Sequence, residues 1–248
     1  MTEVGPHGQP TGYRIAHPYG WIDPRRELVG YPVLVRILAV PVKPLARAKT
    51  RLSPILSPME RAALALAMLE DVLDAAVRVP GWETWVVSPD EAALEIAARR
   101  RVRAITEMKP PLAAAARQVE KEADEHEADA LAILLADTAL VTSEALIVAL
   151  HTLGPVVLAP SSRGGGTNLL LRRPPKAIAS RFGPESFERH VHAAESRGLP
   201  VAIVERPELA YDLDTPEDVR ALLSSGKEGL TRDVCGEMDL GTRLRVGA

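Results

Sequence analysis

The segment VLVRILAVPV, residues 33–42, is followed by SPMERAALALAMLEDVLDAAV, residues 57–77. The first is almost wholly aliphatic and rich in β-branched residues, which is typical of a strand buried on both faces. The second places apolar residues at helical spacing and opens with Ser57, Pro58 and Glu60 in the pattern of a capping box. A buried strand that leads through a loop into an amphipathic helix predicts an α/β fold.

The same alternation of strand and helix continues along the chain. We expect further strands at 84–87, 102–105, 130–136, 155–159, 168–171 and 201–204, and further helices at 89–100, 111–122, 143–151, 184–197 and 216–223. This pattern predicts a mostly parallel, doubly wound sheet with helices on both faces, which is a three-layer sandwich. Ligands of such sheets bind beyond the carboxyl ends of the strands, near the switch in strand order.

Length and composition predict one core domain with a polar extension at each end. The chain has 248 residues and a net charge of −3, which favours neither a nucleic-acid nor a membrane partner. Its single cysteine, Cys235, fits a reducing cytoplasm. We expect an N-terminal extension at 1–30, the domain at 31–224 and a C-terminal tail at 225–248, because neither end shows a sustained apolar period.

A basic segment follows the first predicted strand. Lys43, Arg47, Lys49 and Arg51 place four cations within nine residues, with no acidic residue between them. Such a segment can hold a triphosphate, because fixed cations stabilise the charge that develops on phosphate oxygens during nucleotidyl transfer. A solvated basic loop is the alternative, since the chain has neither a Walker motif nor a G-x-G-x-x-G sequence.

Three aspartates are candidate ligands of a metal ion. Asp137 directly follows the strand predicted at 130–136, where a carboxylate can bind Mg²⁺ beside phosphates. Asp212 and Asp214 alternate, so both side chains share a face if the segment is extended, and two like charges there favour a bound cation. The alternatives are a turn or capping role for Asp137 and a solvated acidic turn for the pair.

Two further segments are candidate anion sites. Residues 163–168 form a glycine-rich loop between two predicted strands, where backbone N–H groups can approach an anion closely. Residues 181–187, RFGPESF, open a predicted helix with Pro184 at its first position, and the Ser186 hydroxyl lies near the free N–H groups of the first turn. A flexible hairpin and ordinary helix capping are the respective alternatives.

In order and spacing these blocks resemble the 2-phospho-L-lactate/phosphoenolpyruvate guanylyltransferases of coenzyme F-420 biosynthesis. The segments that carry the resemblance are 40–52, 136–137, 166–168, 181–187 and 212–218. The resemblance implies the glycosyltransferase-A-like sandwich of nucleotidyltransferases and a cytoplasmic enzyme. It also implies transfer of GMP from GTP to phosphoenolpyruvate or 2-phospho-L-lactate, with Mg²⁺ as cofactor and release of pyrophosphate. The motifs do not determine the oligomeric state, and a homodimer is one alternative.

The resemblance also implies roles for single residues. It assigns Thr167, Gly183 and Ser186 to the phospho-acid, Asp137 and Asp212 to Mg²⁺ with Asp214 as a third ligand, and Lys43, Lys49 and Arg51 to the triphosphate as catalytic cations. The attacking phosphate is already ionised near pH 7, so the reaction needs in-line positioning, a metal ion and cations rather than a general base.

Two segments depart from the family pattern. The family usually has A-D-L-P-L after the central strand and G-L-N before the third helix, whereas this chain has ADTAL at 136–140 and KPPL at 109–112. We therefore retain two alternatives: a nucleotidyltransferase for another acceptor, such as a molybdopterin or a sugar phosphate, and a non-catalytic nucleotide-binding protein of this fold. The absent G-x-G-x-R start opposes the first, and the retained acidic pair and phosphate loops oppose the second.

Overall fold

The computed structural model describes residues 34–107, 112–163 and 165–246 and places seven strands in one sheet. The strands are β1 (Arg36–Pro41), β2 (Glu83–Ser88), β3 (Arg103–Thr106), β4 (Ala130–Leu134), β5 (Val156–Pro160), β6 (Thr167–Arg172) and β7 (Val201–Ile203). Their order across the sheet is β3-β2-β1-β4-β6-β5-β7. Every strand predicted from the sequence is present, although several ends differ by a few residues.

The helices of the described residues are α1 (Pro58–Ala76), α2 (Glu91–Arg99), α3 (Leu112–Glu125), α4 (Ser143–His151), α5 (Ser186–Glu195), α6 (Pro207–Ala210), α7 (Pro216–Ser224), α8 (Leu230–Glu237) and α9 (Leu240–Val246). The predicted capping box of α1 is present between Ser57 and Glu60. Pro184 is not the first residue of α5, because the chain turns there and Glu185, with a left-handed φ of 51°, occupies the position before the helix. None of these described helices is long and apolar enough to cross a membrane.

The sheet is mostly parallel, with one reversed strand. β1 pairs in parallel with β2 and β4, β2 with β3, and β5 with β7. β6 is antiparallel to β4 and β5. Its pairing with β5 follows from the short connection at 161–166, which can only make a hairpin. The chain runs outward from β1 to β3 and then returns to the other side of β1. The predicted doubly wound fold is thus confirmed, and its strand order reverses between β1 and β4.

Helices cover both faces of the sheet. In β1, Leu38 and Val40 pack with side chains of α1, α2 and α4, whereas Ile37 and Ala39 pack with side chains of α3. These four residues are fully buried, because successive side chains of a strand point to opposite faces and each face meets a layer of helices. This arrangement explains the uninterrupted apolar run in the sequence of β1.

The C-terminal residues are part of the packed domain, which corrects the polar tail expected at 225–248. Helices α8 and α9 bury Thr231, Cys235, Leu240 and Leu244, and α8 packs on α1. The compact unit begins at Leu34 and includes both helices. Helices of eight and seven residues contain too few apolar positions to produce a clear period in the sequence. The extension expected at 1–30 lies outside the described residues.

Replacing Leu240 with Ala tests the contribution of these helices. Leu240 is fully buried, so we expect the free energy of unfolding to fall by about 3 kcal/mol through lost burial and a new cavity. In a chain of this size that is a fall of about 6–12 °C in melting temperature. Leu230→Ala is the matched control, because Leu230 is 40% exposed. Equal melting temperatures for the two variants, measured by calorimetry, would contradict a stabilising role for α9.

Candidate active site

A cleft of about 230 Å³ opens beyond the carboxyl ends of β1 and β4, where the strand order reverses. Ligands of doubly wound sheets bind at such a switch point. The basic segment after β1 forms one wall of the cleft, and residues 135–137 after β4 form another. The charged residues that line it are Lys43, Arg47, Lys49, Arg51, Asp137 and Asp214. The structure thus brings the candidate cations and two candidate metal ligands into one cleft.

The Lys49 ammonium group lies between two carboxylates in this cleft. Its Nζ is 3.0 Å from Oδ2 of Asp137 and 2.8 Å from Oδ1 of Asp214. The side chain of Lys49 is 6% exposed and that of Asp137 19%, so this ion pair is largely shielded from water, whereas Asp214 is about one-third exposed. Lys49 has a φ of 49°, a left-handed conformation that residues other than glycine seldom adopt and that often marks a functional site.

Burial and charge oppose each other in this cluster. Burial disfavours the charged form of Lys49, but Asp137 and Asp214 outweigh it and raise the pKa of the ammonium above its ordinary 10.5. Burial also opposes ionisation of Asp137, but Lys49 and Lys43 outweigh it and hold the pKa of that carboxyl below its ordinary 3.8. Lys49 and Asp137 are therefore both charged across the neutral pH range.

Asp212 lies beside this cluster and supplies a third carboxylate. Its Oδ1 accepts a hydrogen bond from the Ser161 hydroxyl at 2.7 Å. Burial raises the pKa of Asp212 above its ordinary 3.8, and the nearby charges of Asp137 and Asp214 add to the rise, although the Ser161 hydrogen bond acts against it. A cation placed near these carboxylates would favour their charged forms.

The carboxylates suit a magnesium ion that also binds phosphate oxygens. Oδ1 of Asp137 is buried and has no hydrogen-bond partner within the described residues, so it is available as a ligand. Mg²⁺ commonly takes one or two protein carboxylates and completes its octahedron with water and substrate phosphates. Asp137 and Asp212 match that requirement. Asp214 is instead engaged by Lys49 and lies 4.0 Å from Arg51.

The end of β2 holds the basic segment in place. The backbone N–H of Leu45 donates to Oδ2 of Asp90 at 2.9 Å, and the N–H of Asp90 donates to the buried Ser88 hydroxyl. The side chain of Arg51, the last cation of the basic segment, is 74% exposed. Lys43 lines the cleft close enough to Asp137 to affect its ionisation. The cations thus differ in exposure, with Lys49 buried between two carboxylates and Arg51 in contact with solvent.

The three residues expected to bind the phospho-acid meet at the start of β6. The N–H of Thr167 donates to the Ser186 hydroxyl at 2.9 Å, and the N–H of Ser186 donates to the Gly183 carbonyl. Gly183 has a φ of 121°, which a residue with a side chain would adopt only with strain. Because β6 is antiparallel to β4, its first residue lies at the same edge of the sheet as Asp137. The two sets of candidate residues therefore share one edge.

The glycine-rich segment predicted at 163–168 covers the second half of the hairpin connection between β5 and β6 and the first two residues of β6. From this loop the guanidinium group of Arg163 reaches Oδ1 of Asp218 at 2.9 Å and the Thr215 hydroxyl at 3.1 Å. Thr215 caps α7 as predicted, with a capping box to Asp218. The loop is therefore fastened to the segment that carries Asp212, and its binding of an anion stays a prediction.

Sequence reasoning missed three side chains that organise the cleft. Two are Asp90 and Ser161, described above. The third is Lys227, whose Nζ donates to the carbonyls of Ala139 and Val141 at 2.9 and 2.8 Å. These contacts hold the loop after Asp137, where the proline turn of the family is absent. Each of the three acts on a residue 45 or more positions away, so no local pattern could reveal it. The KPPL departure lies largely outside the described residues, at 109–111.

A family model described as "Guanylyl transferase CofC like" matches residues 35–244. The chain belongs to this family. A phosphoenolpyruvate guanylyltransferase of Rubrobacter xylanophilus is 40% identical over 75% of this chain and 93% of its own length. A 3-phospho-D-glycerate guanylyltransferase of Phenylobacterium zucineum is 40% identical over 69% of this chain and 82% of its own length. A 2-phospho-L-lactate guanylyltransferase of Methanocaldococcus vulcanius is 33% identical over 79% of this chain and 88% of its own length. The resemblance found in the sequence motifs is confirmed.

Solved structures of similar fold agree with the architecture of this guanylyl transferase family member. A crystal structure from Desulfovibrio desulfuricans, described as a nucleotide-diphospho-sugar transferase, has a TM-score of 0.69 over 85% of this chain and 97% of its own, at 18% identity. A 4-diphosphocytidyl-2C-methyl-D-erythritol synthase has a TM-score of 0.54 over 76% of this chain and 96% of its own, at 17% identity. At such identities the likeness concerns the fold, which is the three-layer sandwich of nucleotidyltransferases.

Proposed function

We propose that the chain transfers the GMP group of GTP to the phosphate of phosphoenolpyruvate and releases pyrophosphate, as a step of coenzyme F-420 biosynthesis. The observation that carries this proposal is the switch-point cleft, where Lys49 lies between Asp137 and Asp214 and further cations line the wall. Cations and carboxylates at one switch point match a nucleoside triphosphate with its metal ion. Membership of the guanylyl transferase family supports GTP as the donor.

In the proposed reaction an oxygen of the acceptor phosphate attacks the α-phosphorus of GTP. The new P–O bond forms while the bond from the α-phosphorus to the oxygen shared with the β-phosphate breaks. Pyrophosphate leaves with that electron pair. The acceptor phosphate is already ionised near pH 7, so no side chain has to remove a proton. The chain's task is to align two anions in line and to offset their mutual repulsion.

We assign the basic wall to the triphosphate. Fixed positive charges stabilise the negative charge that grows on the leaving pyrophosphate, and preorganised charges do so without reorientation during the reaction. Lys49 is preorganised by its two carboxylates. Arg51 extends into solvent and can turn toward the outer phosphates. Lys43 lines the same cleft.

We assign Asp137 and Asp212 to Mg²⁺, which would supply further neutralisation of the phosphate charges. Asp214 then serves to position Lys49, which it contacts at 2.8 Å. We assign the acid to the start of β6 and the turn before α5, where Thr167, Gly183 and Ser186 lie next to one another. Two hydroxyl groups and a glycine turn meet there. Hydroxyl and backbone donors are the usual partners of carboxylate and phosphate oxygens.

The experiment that tests this function is an assay of pyrophosphate release. The purified chain is incubated with GTP, Mg²⁺ and, in turn, phosphoenolpyruvate, 2-phospho-L-lactate and 3-phosphoglycerate, and mass spectrometry identifies the guanylylated product. We expect release with GTP and phosphoenolpyruvate, and none without an acid. Release only with a sugar phosphate or a molybdopterin acceptor would support another nucleotidyltransferase. GTP binding without release for any acceptor would support a non-catalytic protein.

A further inference from the structure

A buried histidine joins the two segments that we assign to the phospho-acid. His190 lies on α5 and is fully buried. Its Nδ1 is 3.0 Å from the hydroxyl oxygen of Thr167 at the start of β6, and its Nε2 accepts the backbone N–H of Arg181 at 2.8 Å. The edge of one ring packs on the face of the other between His190 and Phe182, with centroids 5.3 Å apart. One side chain thus fastens the 181–187 segment to β6.

The hydrogen bond from Arg181 determines the tautomer of His190. A backbone N–H group can only donate, so Nε2 is the acceptor and carries no proton. A neutral imidazole then carries its proton on Nδ1, which donates to the Thr167 hydroxyl oxygen. Burial, followed by the positive charges of Arg172, Arg189 and Arg181, lowers the pKa of His190 to about 3. The ring is therefore neutral at physiological pH, with this one tautomer.

The donor on His190 decides where the proton of Thr167 points. Because the Thr167 oxygen accepts from Nδ1, its own O–H has to donate elsewhere, and no acceptor for it lies within the described residues. The Ser186 hydroxyl accepts the N–H of Thr167 and likewise has no acceptor for its own proton there. Thr167 and Ser186 are 1% and 2% exposed. Two buried, adjacent O–H donors without a protein acceptor match an anionic oxygen of a ligand.

We propose that His190 is a positioning residue for the phospho-acid, because it holds the Thr167 hydroxyl as a donor toward a carboxylate or phosphate oxygen of that acid. This inference rests on the proposed function and names a residue that sets affinity for the acid rather than for the nucleotide. With the opposite tautomer, Thr167 would donate to the ring and would present only lone pairs to the anion, which would repel it.

Two replacements separate the roles of the two ring nitrogens. In His190→Asn the amide N–H stands where Nδ1 was and still donates to Thr167, but nothing reaches the N–H of Arg181. In His190→Gln the amide oxygen stands where Nε2 was and still accepts from Arg181, but the donor to Thr167 is lost.

We expect His190→Gln to raise the KM for phosphoenolpyruvate about tenfold, because the Thr167 hydroxyl loses the donor that directs its own proton toward the charged acid. Its KM for GTP should stay within about twofold of the wild-type value. We expect His190→Asn to keep the KM for phosphoenolpyruvate close to wild type and to have the lower melting temperature of the two variants, since a buried N–H loses its partner. His192→Gln is the matched control, because the His192 side chain lies on the same helix and is 78% exposed.

Two results would overturn this role of His190. The first is a KM for phosphoenolpyruvate that rises in step with the loss of melting temperature in both variants, which would indicate a purely structural residue. The second comes from the wild-type chain and needs no variant. Nitrogen NMR of the imidazole ring at pH 7 should show a protonated Nδ1 and an unprotonated Nε2, and the reverse pattern would contradict the proposal.

Failure of the proposed function is distinguishable from failure of this inference. A wild-type chain that releases no pyrophosphate with GTP and any of the three acids contradicts the proposed function before any variant is made. An active wild-type chain whose His190→Gln variant has unchanged KM for every acid contradicts the role of His190 alone.

Discussion

Replacing Asp137 with Asn is expected to lower pyrophosphate release about a hundredfold or more while the chain stays folded. The amide keeps the shape of the side chain but removes the negative charge that we assign to Mg²⁺, and preorganised charges in such sites contribute on this scale. The fold should persist because Lys49 keeps Asp214 as a partner at 2.8 Å. The measurements are kcat/KM at saturating Mg²⁺ and, independently, Mn²⁺ binding in the presence of GTP by electron paramagnetic resonance.

Two further variants make this result specific. Asp214→Asn should retain more Mn²⁺ affinity than Asp137→Asn. Both residues contact Lys49, but only Asp137 also has a buried oxygen without a partner within the described residues, which we assign to the metal ion. Asp124→Asn removes an exposed carboxylate that pairs with Lys176, and it should behave as wild type. Wild-type turnover in Asp137→Asn would exclude Asp137 from the reacting site. Equal losses of Mn²⁺ affinity in all three variants would indicate an effect of net charge alone.

Replacing Lys49 with Met is expected to lower both stability and turnover, and Mg²⁺ should restore part of the stability. The change leaves Asp137 and Asp214 without the cation between them. Removing one member of a buried ion cluster lowers the free energy of unfolding by about 3 kcal/mol at the lower end of the usual range. The lower end applies here because Asp214 is about one-third exposed. The melting temperature should fall by about 6–12 °C, and turnover by about a hundredfold.

Mg²⁺ should raise the melting temperature of Lys49→Met more than that of the wild-type chain. In the variant the metal ion takes a place next to two carboxylates that the ammonium no longer neutralises, and binding to the folded state alone stabilises it. Arg51→Met is the control for stability, because the Arg51 side chain is 74% exposed and lies 4.0 Å from Asp214. A melting temperature of Lys49→Met that equals the control, or that Mg²⁺ does not raise, would contradict the role assigned to Lys49.

The secondary structure could be predicted from the sequence because its causes are local. The apolar run of β1 and the capping box at Ser57 depend on residues only a few positions apart. Pro184 shows where local reasoning fails, since its preference for a first helical turn is overridden by the turn at Gly183, where the φ is 121°. The helices α8 and α9 escaped prediction because their burial depends on α1 and α7, which are distant in the sequence.

The candidate site could be predicted as residue types but not as a set of partners. A basic segment and three aspartates indicated phosphate chemistry, yet Lys49 is 88 residues from Asp137 and 165 residues from Asp214. No spacing in the sequence indicates that this lysine, rather than Arg51, lies between the carboxylates. Ser161 and Asp212, which are 51 residues apart, illustrate the same point. Such contacts depend on which strands are neighbours in the sheet.

By itself, the sequence determined the alternation of strands and helices, the family motifs and the charged residues that follow the strands. Each of these features depends only on residues that are close together in the sequence. The strand order β3-β2-β1-β4-β6-β5-β7 belongs to the tertiary structure alone. That order places the end of β4 beside the end of β1, and the start of β6 at the same edge. It therefore decided that Lys49 lies between Asp137 and Asp214 and that His190 faces Thr167, because burial and charge are properties of neighbours in space.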